Sequence, residues 1–333
     1  MFWFVVPAGL DDRQTPSGGN TYDRRVAEHL PARLVPVDGG WPDPAPPARQ
    51  RLHQVLAGLP DGATVLLDGL VACGVPEVLA PHAARLDLAV LVHLPLADET
   101  GLDPQRAAEL AAREQKTLDL ARHIIVTSPA AARALEGRAA QVAPPGTDPA
   151  PPAAGTDGWS QLVCVAAVTP RKGQDVLLAA LSQVDGLSVD FVGSRTANPA
   201  YANALPDHPR ARFTGPLTGD ALEAAYRRAD LLVLPSHAET YGMVVTEALA
   251  RGIPVLASEV GGVPDALGRT PDGELPGLLV PPGDANALAT ALRTWRDDPD
   301  LRVRLRDAAA ARARTLEPWP VAAARLGGIL EVR

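Results

Sequence analysis

Glu239 and Glu247 stand eight positions apart in the run Ser236-His237-Ala238-Glu239-Thr240-Tyr241-Gly242-Met243-Val244-Val245-Thr246-Glu247. Ahead of them, Leu231-Leu232-Val233-Leu234-Pro235 is a short continuous apolar run that predicts a buried strand; behind them, Gly252-Ile253-Pro254 predicts the stop of a helix. The unit reads strand, loop, helix, with the helix starting near Gly242. Its free N–H groups and positive dipole end suit a phosphate. Glu239, in the loop, can accept hydrogen bonds from hydroxyls beside that phosphate. Glu247 lies about five residues into the helix, so about 7.5 Å along its axis. Carboxylates so placed would engage different parts of one long polyol, and a sugar nucleotide has that shape. Open α/β sheets bind ligands at this carboxyl edge. Spacing alone also fits two solvated glutamates, one in a loop and one on a helix.

Three other stretches could do related chemistry. Phe2–Val6 reads as a strand, followed by Thr15-Pro16-Ser17-Gly18-Gly19-Asn20 and a helix from about Thr21 to Leu30. Gly18 and Gly19 could let backbone N–H groups approach an anion, or simply make the loop flexible. The dinucleotide fingerprint G-x-G-x-x-G is absent, which weakens a dehydrogenase reading. Arg171 and Lys172 follow the strand Leu162–Val168 and precede a helix over Asp175–Gln183. A planar fork, a point charge and a helix dipole could together hold a diphosphate, or the pair is an exposed basic turn. His93 ends the strand Leu88–Val92, where a lone histidine is more often structural.

The words around the glutamates, Ser-x-x-Glu-x-x-Gly-x-x-x-x-Glu-Ala-x-Ala-x-Gly-x-Pro-Val followed by Gly261-Gly262-Val263-Pro264-Asp265, closely resemble the signature of family 4 retaining glycosyltransferases of the GT-B fold. The resemblance runs from about Val163 to Leu292. It implies that Glu239 contacts the donor sugar and Glu247 the nucleotide ribose. It implies that Gly18 and Gly19 face the donor diphosphate and the acceptor, and that His93 lies near the donor sugar, although Leu94 stands where a small or acidic residue is common. Lys172-Gly173 match the end of the family's Gly-Arg-x-x-x-x-Lys-Gly loop. The family's arginine falls on Ala167, so Arg171 substitutes for it or Lys172 and backbone hold the diphosphate alone. By the same resemblance Gly193 faces the nucleotide, backbone near Leu217 reads the base, and Tyr241, Gly242, Met243 and Val244 surround the donor. Val142-Ala143-Pro144-Pro145-Gly146-Thr147-Asp148 resembles the family's strand-to-linker segment.

The activity so implied is hexose transfer with retention from a nucleoside-diphosphate sugar, UDP-hexose first and GDP-mannose second, to a hydroxyl of a small acceptor. Glu239 would orient sugar hydroxyls and stabilise an oxocarbenium-like transition state, while the leaving phosphate takes the acceptor's proton. Glycosidases use two carboxylates as acid and nucleophile; Glu247, on the ribose, cannot attack the anomeric carbon. No His, Cys and Asp cluster has metal-ligand spacing and no Asp-x-Asp lies near the site, so neither metal nor cofactor is expected. The alternatives are a GT-B sugar-nucleotide epimerase or hydrolase, and a catalytically idle regulatory relative.

The elements that must position these residues follow from the rest of the chain. Its 333 residues suffice for two α/β domains. Strand and helix alternate through both halves, which predicts two Rossmann-like domains facing across a cleft: residues 1–150 for the acceptor and 151–317 for the donor, with 318–333 packing back on the first. Pro149–Gly158 reads as the linker. The net charge of −8 argues against sequence-independent nucleic-acid binding. Acidic residues interrupt the basic ones over Asp103–Ala121, which favours a solvated face over a membrane-bound one. Cys73 and Cys164 read as buried free thiols. No apolar run reaches 18 residues, and the first residues read as a strand and not a leader, so a cytoplasmic protein is expected.

Overall fold

The computed structural model describes residues 2–12, 14, 16–99, 101–135, 137–156 and 158–331. Thr15 of the glycine loop and Asp157 of the linker lie outside that set. The chain divides into two units: Met1–Asp11, Gly18–Gly146 and Trp319–Arg333 form unit 1, and Asp12–Ser17 with Thr147–Pro318 form unit 2.

Unit 1 contains β1 (Phe2–Pro7), α1 (Gly18–His29), β2 (Ala32–Val37), α2 (Pro46–Ala57), β3 (Thr64–Asp68), α3 (Gly69–Ala72), α4 (Pro76–Leu79), β4 (Asp87–Val92), α5 (Pro104–Leu120), β5 (His123–Val126), α6 (Pro129–Ala134) and β6 (Ala140–Val142). The sheet is parallel, in the order β2-β1-β3-β4-β5-β6. Its central strands are buried on both faces: Phe4, Val5, Val65–Leu67 and Ala89–Leu91 are fully enclosed. That is why they read as continuous apolar runs and not as alternating ones.

Unit 2 contains β7 (Gln161–Val165), α7 (Gln174–Leu181), β8 (Ser188–Val192), α8 (Pro199–Ala204), β9 (Ala211–Gly215), α9 (Gly219–Arg228), β10 (Leu231–Leu234), α10 (Met243–Ala250), β11 (Val255–Ser258), α11 (Val263–Leu267), β12 (Gly277–Val280), α12 (Ala285–Asp297) and α13 (Pro299–Ala313). Its parallel sheet has the order β12-β11-β10-β7-β8-β9. Two Rossmann-like sheets are therefore present. Unit 2 has the doubly wound order that reverses between its first and fourth strands, β7 and β10; unit 1 reverses between β1 and β3. Loops leaving these strand pairs border the crevice where such sheets take ligands.

The last helix, α14 (Trp319–Glu331), lies on α1 within unit 1. Trp319 is buried against the Tyr22 ring, centroids 5.8 Å apart, with the Arg25 guanidinium over its face. Trp319-Pro320 thus opens a helix, because proline is tolerated in a first turn whose N–H groups have no intrahelical partner.

Local rules set several starts. Ser128 caps α6 and Asp284 caps α12 through their side-chain oxygens. α9 begins at Gly219, with Thr218 in the cap position and Asp220 in the first turn. α1 begins at Gly18, three residues earlier than the sequence predicts, so Gly18 and Gly19 open the helix. Arg106 and Arg113 of α5 both bond Asp43, and Arg106 also pairs with Glu109. Cys73 and Cys164 are free and buried. Among the described residues no helix is long and apolar enough to cross a membrane.

Candidate active site

Strand β10 is fully buried and delivers Pro235 and Ser236 to the carboxyl edge of the unit 2 sheet. Gly242, at φ +88°, then starts α10. Glu239 lies in the intervening loop with its side chain 8% exposed. Its Oε1 accepts from Lys172 Nζ at 2.5 Å and from Ser236 Oγ at 2.8 Å, and Arg171 Nη1 lies 3.9 Å from its Oε2. Arg171 Nη1 also donates to the Ala238 carbonyl at 3.3 Å. Burial pushes the Glu239 carboxyl up, but Lys172, Arg171 and Ser236 together outweigh it and hold the group below the usual carboxylate range. Glu239 is thus a buried, ionised carboxylate with two cations beside it.

The two cations come from the loop after β7, and the loops fit because glycines replace side chains where they cross. Gly173 has φ +65°, and a Cβ there would stand 2.2 Å from the Pro235 carbonyl. The backbones lock through His237 N–H to the Arg171 carbonyl, 2.8 Å. Gly261, at φ +47°, would place a Cβ 1.8 Å from the Glu239 carbonyl, and the next residue, Gly262, donates to that carbonyl at 3.0 Å. The Gly-Gly pair after β11 therefore clamps the Glu239 backbone. Gly193, after β8, lies against the same β7 loop: a Cβ would fall 1.9 Å from the Ala166 carbonyl. Ala167 itself only offers its carbonyl to Gln174 Nε2 at 3.0 Å.

Glu247 lies one turn into α10, as its spacing predicts, and its Oε2 accepts from Tyr226 Oη at 2.8 Å. Burial raises its carboxyl above the usual range against the pull of Tyr226 and Arg251. Arg251 lies over the Tyr226 ring at 4.5 Å, pairs with Glu223, and donates to the Glu247 carbonyl at 2.6 Å. Met243 and Val244 form the first turn of α10 with Gly242 ahead of them; Tyr241, Val244 and Leu217 pack at the rim of the apolar cluster around Leu234, Val245 and Val263. Unit 2 therefore gathers Glu239, Arg171, Lys172, Gly193, Gly242 and Glu247 along one edge of one sheet.

Unit 1 holds a second constellation. His93, just beyond β4, sits 2.7 Å from Asp23 Oδ1 through its Nε2, and 4.0 Å from Asp68 Oδ2. Asp68, at the end of β3, accepts the Leu70 N–H at 2.6 Å and brings a carboxylate oxygen within 4.8 Å of one of Asp23. Both aspartates are buried. Burial pushes the Asp23 carboxyl up to about 7 and Asp68 well above its ordinary value, and lowers His93. Gly19 packs on the imidazole: a Cβ there would lie 3.1 Å from His93 Cδ2. Gly19 thus meets His93, while Gly18 opens α1 one residue before it. Asp23, Asp68 and His93 each bring a ligating atom within 4.8 Å of the others. The sequence shows no metal-ligand spacing here because the three residues arrive from separate elements.

Ser236, Tyr226, Arg251, Asp23 and Asp68 are site residues that sequence reasoning does not single out. Ser236 stands inside the quoted signature, so its type was visible but its bond to Glu239 was not. Asp23 carries one signal: an acidic residue in phase with Gly19, Tyr22 and Val26 on the buried face of an amphipathic helix.

Comparison with known proteins bears on the fold and on the carboxyl half. Residues 160–298 match the family "Glycosyl transferases group 1". The chain is 36% identical over 182 residues to a D-inositol 3-phosphate glycosyltransferase of Corynebacterium glutamicum, a match covering 50% of this chain and 41% of that relative. Among solved structures it superposes on a sucrose-phosphate synthase of Thermosynechococcus elongatus with a TM-score of 0.74 and 24% identity, covering 98% of this chain and 97% of the other. It superposes on Anabaena HepE in complex with UDP and glucose with a TM-score of 0.77 and 18% identity, covering 100% and 99%. The superpositions establish a GT-B fold for the two sheets, and the stretch that carries Lys172, Glu239 and Glu247 lies within the residues that match the glycosyl transferases group 1 family.

Proposed function

We propose that the protein is a retaining, metal-independent glycosyltransferase. It moves a hexose from a nucleoside-diphosphate sugar, UDP-linked first and GDP-mannose second, to a hydroxyl of a small soluble acceptor. The observation that carries this reading is the ionised Glu239 held between Lys172 and Arg171 beside the start of α10, at the switch point of unit 2. The relatives' names support it: one is a glycosyltransferase, and HepE was solved with UDP and glucose.

In this reading Lys172 and Arg171 neutralise the diphosphate, Arg171 in the role that Ala167 cannot fill. The α10 N–H groups add their dipole. A phosphate entering here competes with Glu239 for Lys172, so binding converts an internal ion pair into a contact with the donor and frees Glu239 to accept sugar hydroxyls. Glu247 takes the ribose. The acceptor oxygen bonds to the anomeric carbon as the bond from that carbon to the phosphate oxygen breaks. The leaving phosphate takes the acceptor's proton, so charge and atoms balance with no group from the protein consumed. Glu239, still ionised, stabilises positive charge on the sugar. His93 supplies a hydrogen-bonding group to the sugar. A soluble acceptor fits the α5 arginines, which are already engaged by Asp43 and Glu109. Free buried cysteines fit a cytoplasmic setting.

The test is turnover of UDP-glucose and GDP-mannose with and without a panel of polyol and sugar-phosphate acceptors, in EDTA and in magnesium, read by mass spectrometry. The expected result is a hexosylated acceptor and free nucleoside diphosphate, unaffected by EDTA. Conversion of donor without any acceptor would favour an epimerase or hydrolase.

A further inference from the structure

Three residues reach one point of unit 1 from separate elements. Asp23 comes from the second turn of α1, Asp68 from the end of β3, and His93 from just beyond β4. One ligating atom of each lies within 4.8 Å of the other two. His93 Nε2 stands 2.7 Å from Asp23 Oδ1 and 4.0 Å from Asp68 Oδ2. Ligands of a tetrahedral zinc ion, each about 2.0 to 2.1 Å from it, stand about 3.3 Å apart. The observed spacings bracket that value. A separate observation points to a cation. Asp23 is fully buried, and its Oδ2 meets no N–H or O–H donor. Buried carboxylates are ordinarily paired, hydrogen-bonded or bound to a metal. Among the described residues no lysine or arginine side chain bonds either aspartate. The ligands are also held in place. Asp68 Oδ1 accepts the Leu70 N–H at 2.6 Å. A Cβ on Gly19 would fall 3.1 Å from His93 Cδ2, and the Tyr22 ring meets the imidazole edge-on at 5.2 Å. Tyr22 is itself fixed, its hydroxyl donating to the Ala143 carbonyl at 3.0 Å. Outer partners of this kind orient metal ligands. The His93 side chain is 17% exposed, against 0% for Asp23 and 4% for Asp68, so an ion and its water enter from the histidine's side.

We propose that Asp23, Asp68 and His93 form a site for one zinc ion, and that its occupancy withdraws His93 from the sugar and slows transfer. One imidazole beside two carboxylates selects zinc over magnesium, which prefers six oxygens and keeps its waters. The proton held between His93 Nε2 and Asp23 Oδ1 leaves to solvent as the nitrogen–zinc bond forms. One oxygen of each aspartate completes a three-ligand set, and water takes the fourth position. The ion is not a cofactor of the reaction, whose diphosphate is neutralised by Lys172 and Arg171; the metal-free protein is the active form. The effect on turnover rests on the proposed function, but zinc binding is a property of the chain alone.

The experiment is calorimetric titration of the metal-stripped full chain with zinc chloride and with magnesium chloride, followed by X-ray absorption of the zinc-loaded protein. The expected result is one zinc per chain, no magnesium binding, and a nitrogen and oxygen shell at about 2.0 to 2.1 Å that includes one imidazole. Asp68→Asn and His93→Gln should each weaken zinc binding by more than the roughly 10- to 100-fold that loss of an outer partner costs. His82→Gln should leave it unchanged; it removes the other close imidazole pair, in which His82 Nε2 lies 3.1 Å from His53 Nδ1. Failure to saturate at one zinc per chain overturns the site, as does a zinc–sulfur distance near about 2.3 Å, which would place the ion on a cysteine. Wild-type affinity in Asp68→Asn and His93→Gln overturns it equally. Should one variant fail to fold, the other variant and the absorption spectrum still decide. Zinc should lower wild-type turnover to that of His93→Gln, and EDTA should restore it; turnover unchanged at saturating zinc overturns the inhibitory role. Absence of all turnover would defeat the transferase reading and leave the zinc-binding result standing.

Discussion

At the switch point of unit 2, one buried carboxylate faces two cations; at that of unit 1, two buried carboxyls face each other and a histidine. The loops leave equivalent edges of similar sheets, yet the electrostatics are opposite. Glu239 is kept ionised by Lys172 and Arg171, whereas Asp23 and Asp68 are driven towards their protonated forms by burial, and the Asp23 charge adds to the push on Asp68. The difference teaches what each edge can receive. The unit 2 edge holds exchangeable positive charge and suits a diphosphate. The unit 1 edge holds a near-neutral hydrogen-bonding cluster and suits hydroxyls.

The largest effect should come from removing the charge that the cations hold. Glu239→Gln keeps the shape and is expected to lower turnover about 1000-fold while nucleotide binding survives; steady-state rates beside calorimetric UDP titration check this, and equal loss of both would break the division of labour. Lys172→Ala removes a charge-assisted contact to the diphosphate and should weaken UDP binding about 10- to 100-fold. Unchanged affinity would mean that Lys172 serves only Glu239.

The two edges should also answer pH in opposite senses. The raised Asp23 stabilises the fold most below its unfolded value near 4, and that contribution is lost as pH rises through about 7. The depressed Glu239 contributes above its unfolded value, and its contribution is lost as pH falls through its lower folded value. Melting temperature should therefore decline from pH 5 to pH 8, and Asp23→Asn should flatten that slope; an unchanged slope in the variant would place the titration elsewhere. The smallest effect is expected of Glu247→Ala, about tenfold in UDP affinity with turnover at saturation little altered. A variant with wild-type affinity would remove Glu247 from the ribose.

Much of unit 2 was legible because its information is local. The apolar run Leu231–Leu234, the glycine at 242 and the stop at Gly252-Ile253-Pro254 define strand, helix start and helix end within one short stretch, and β10, α10 and β11 follow them. Lys172 and Arg171 could be proposed as a pair, but only the fold shows both turned to Glu239. The unit 1 cluster was not legible: Asp23 and His93 are 70 positions apart and meet because β1 and β4 belong to one parallel sheet. Asp68 merely follows the apolar run Val65–Leu67, and nothing near it in the chain points to His93. Local rules also misled where first-turn geometry is permissive. Gly18-Gly19 reads as a loop ahead of the helix, yet a first turn leaves its N–H groups free in any case and accepts glycine.

The central claim is that the Lys172–Glu239 edge of unit 2 receives a nucleoside diphosphate, and its most direct measurement is the melting temperature against UDP, GDP, ADP, CDP and TDP, with magnesium and with EDTA. At about 100 times the dissociation constant, binding adds about 2.7 kcal/mol, which for a protein of this size raises the midpoint by several degrees. The account predicts that one diphosphate, UDP before GDP, raises it equally in magnesium and in EDTA, and that Lys172→Ala cuts the rise to about half or less. No rise from any of the five at millimolar concentration would contradict it.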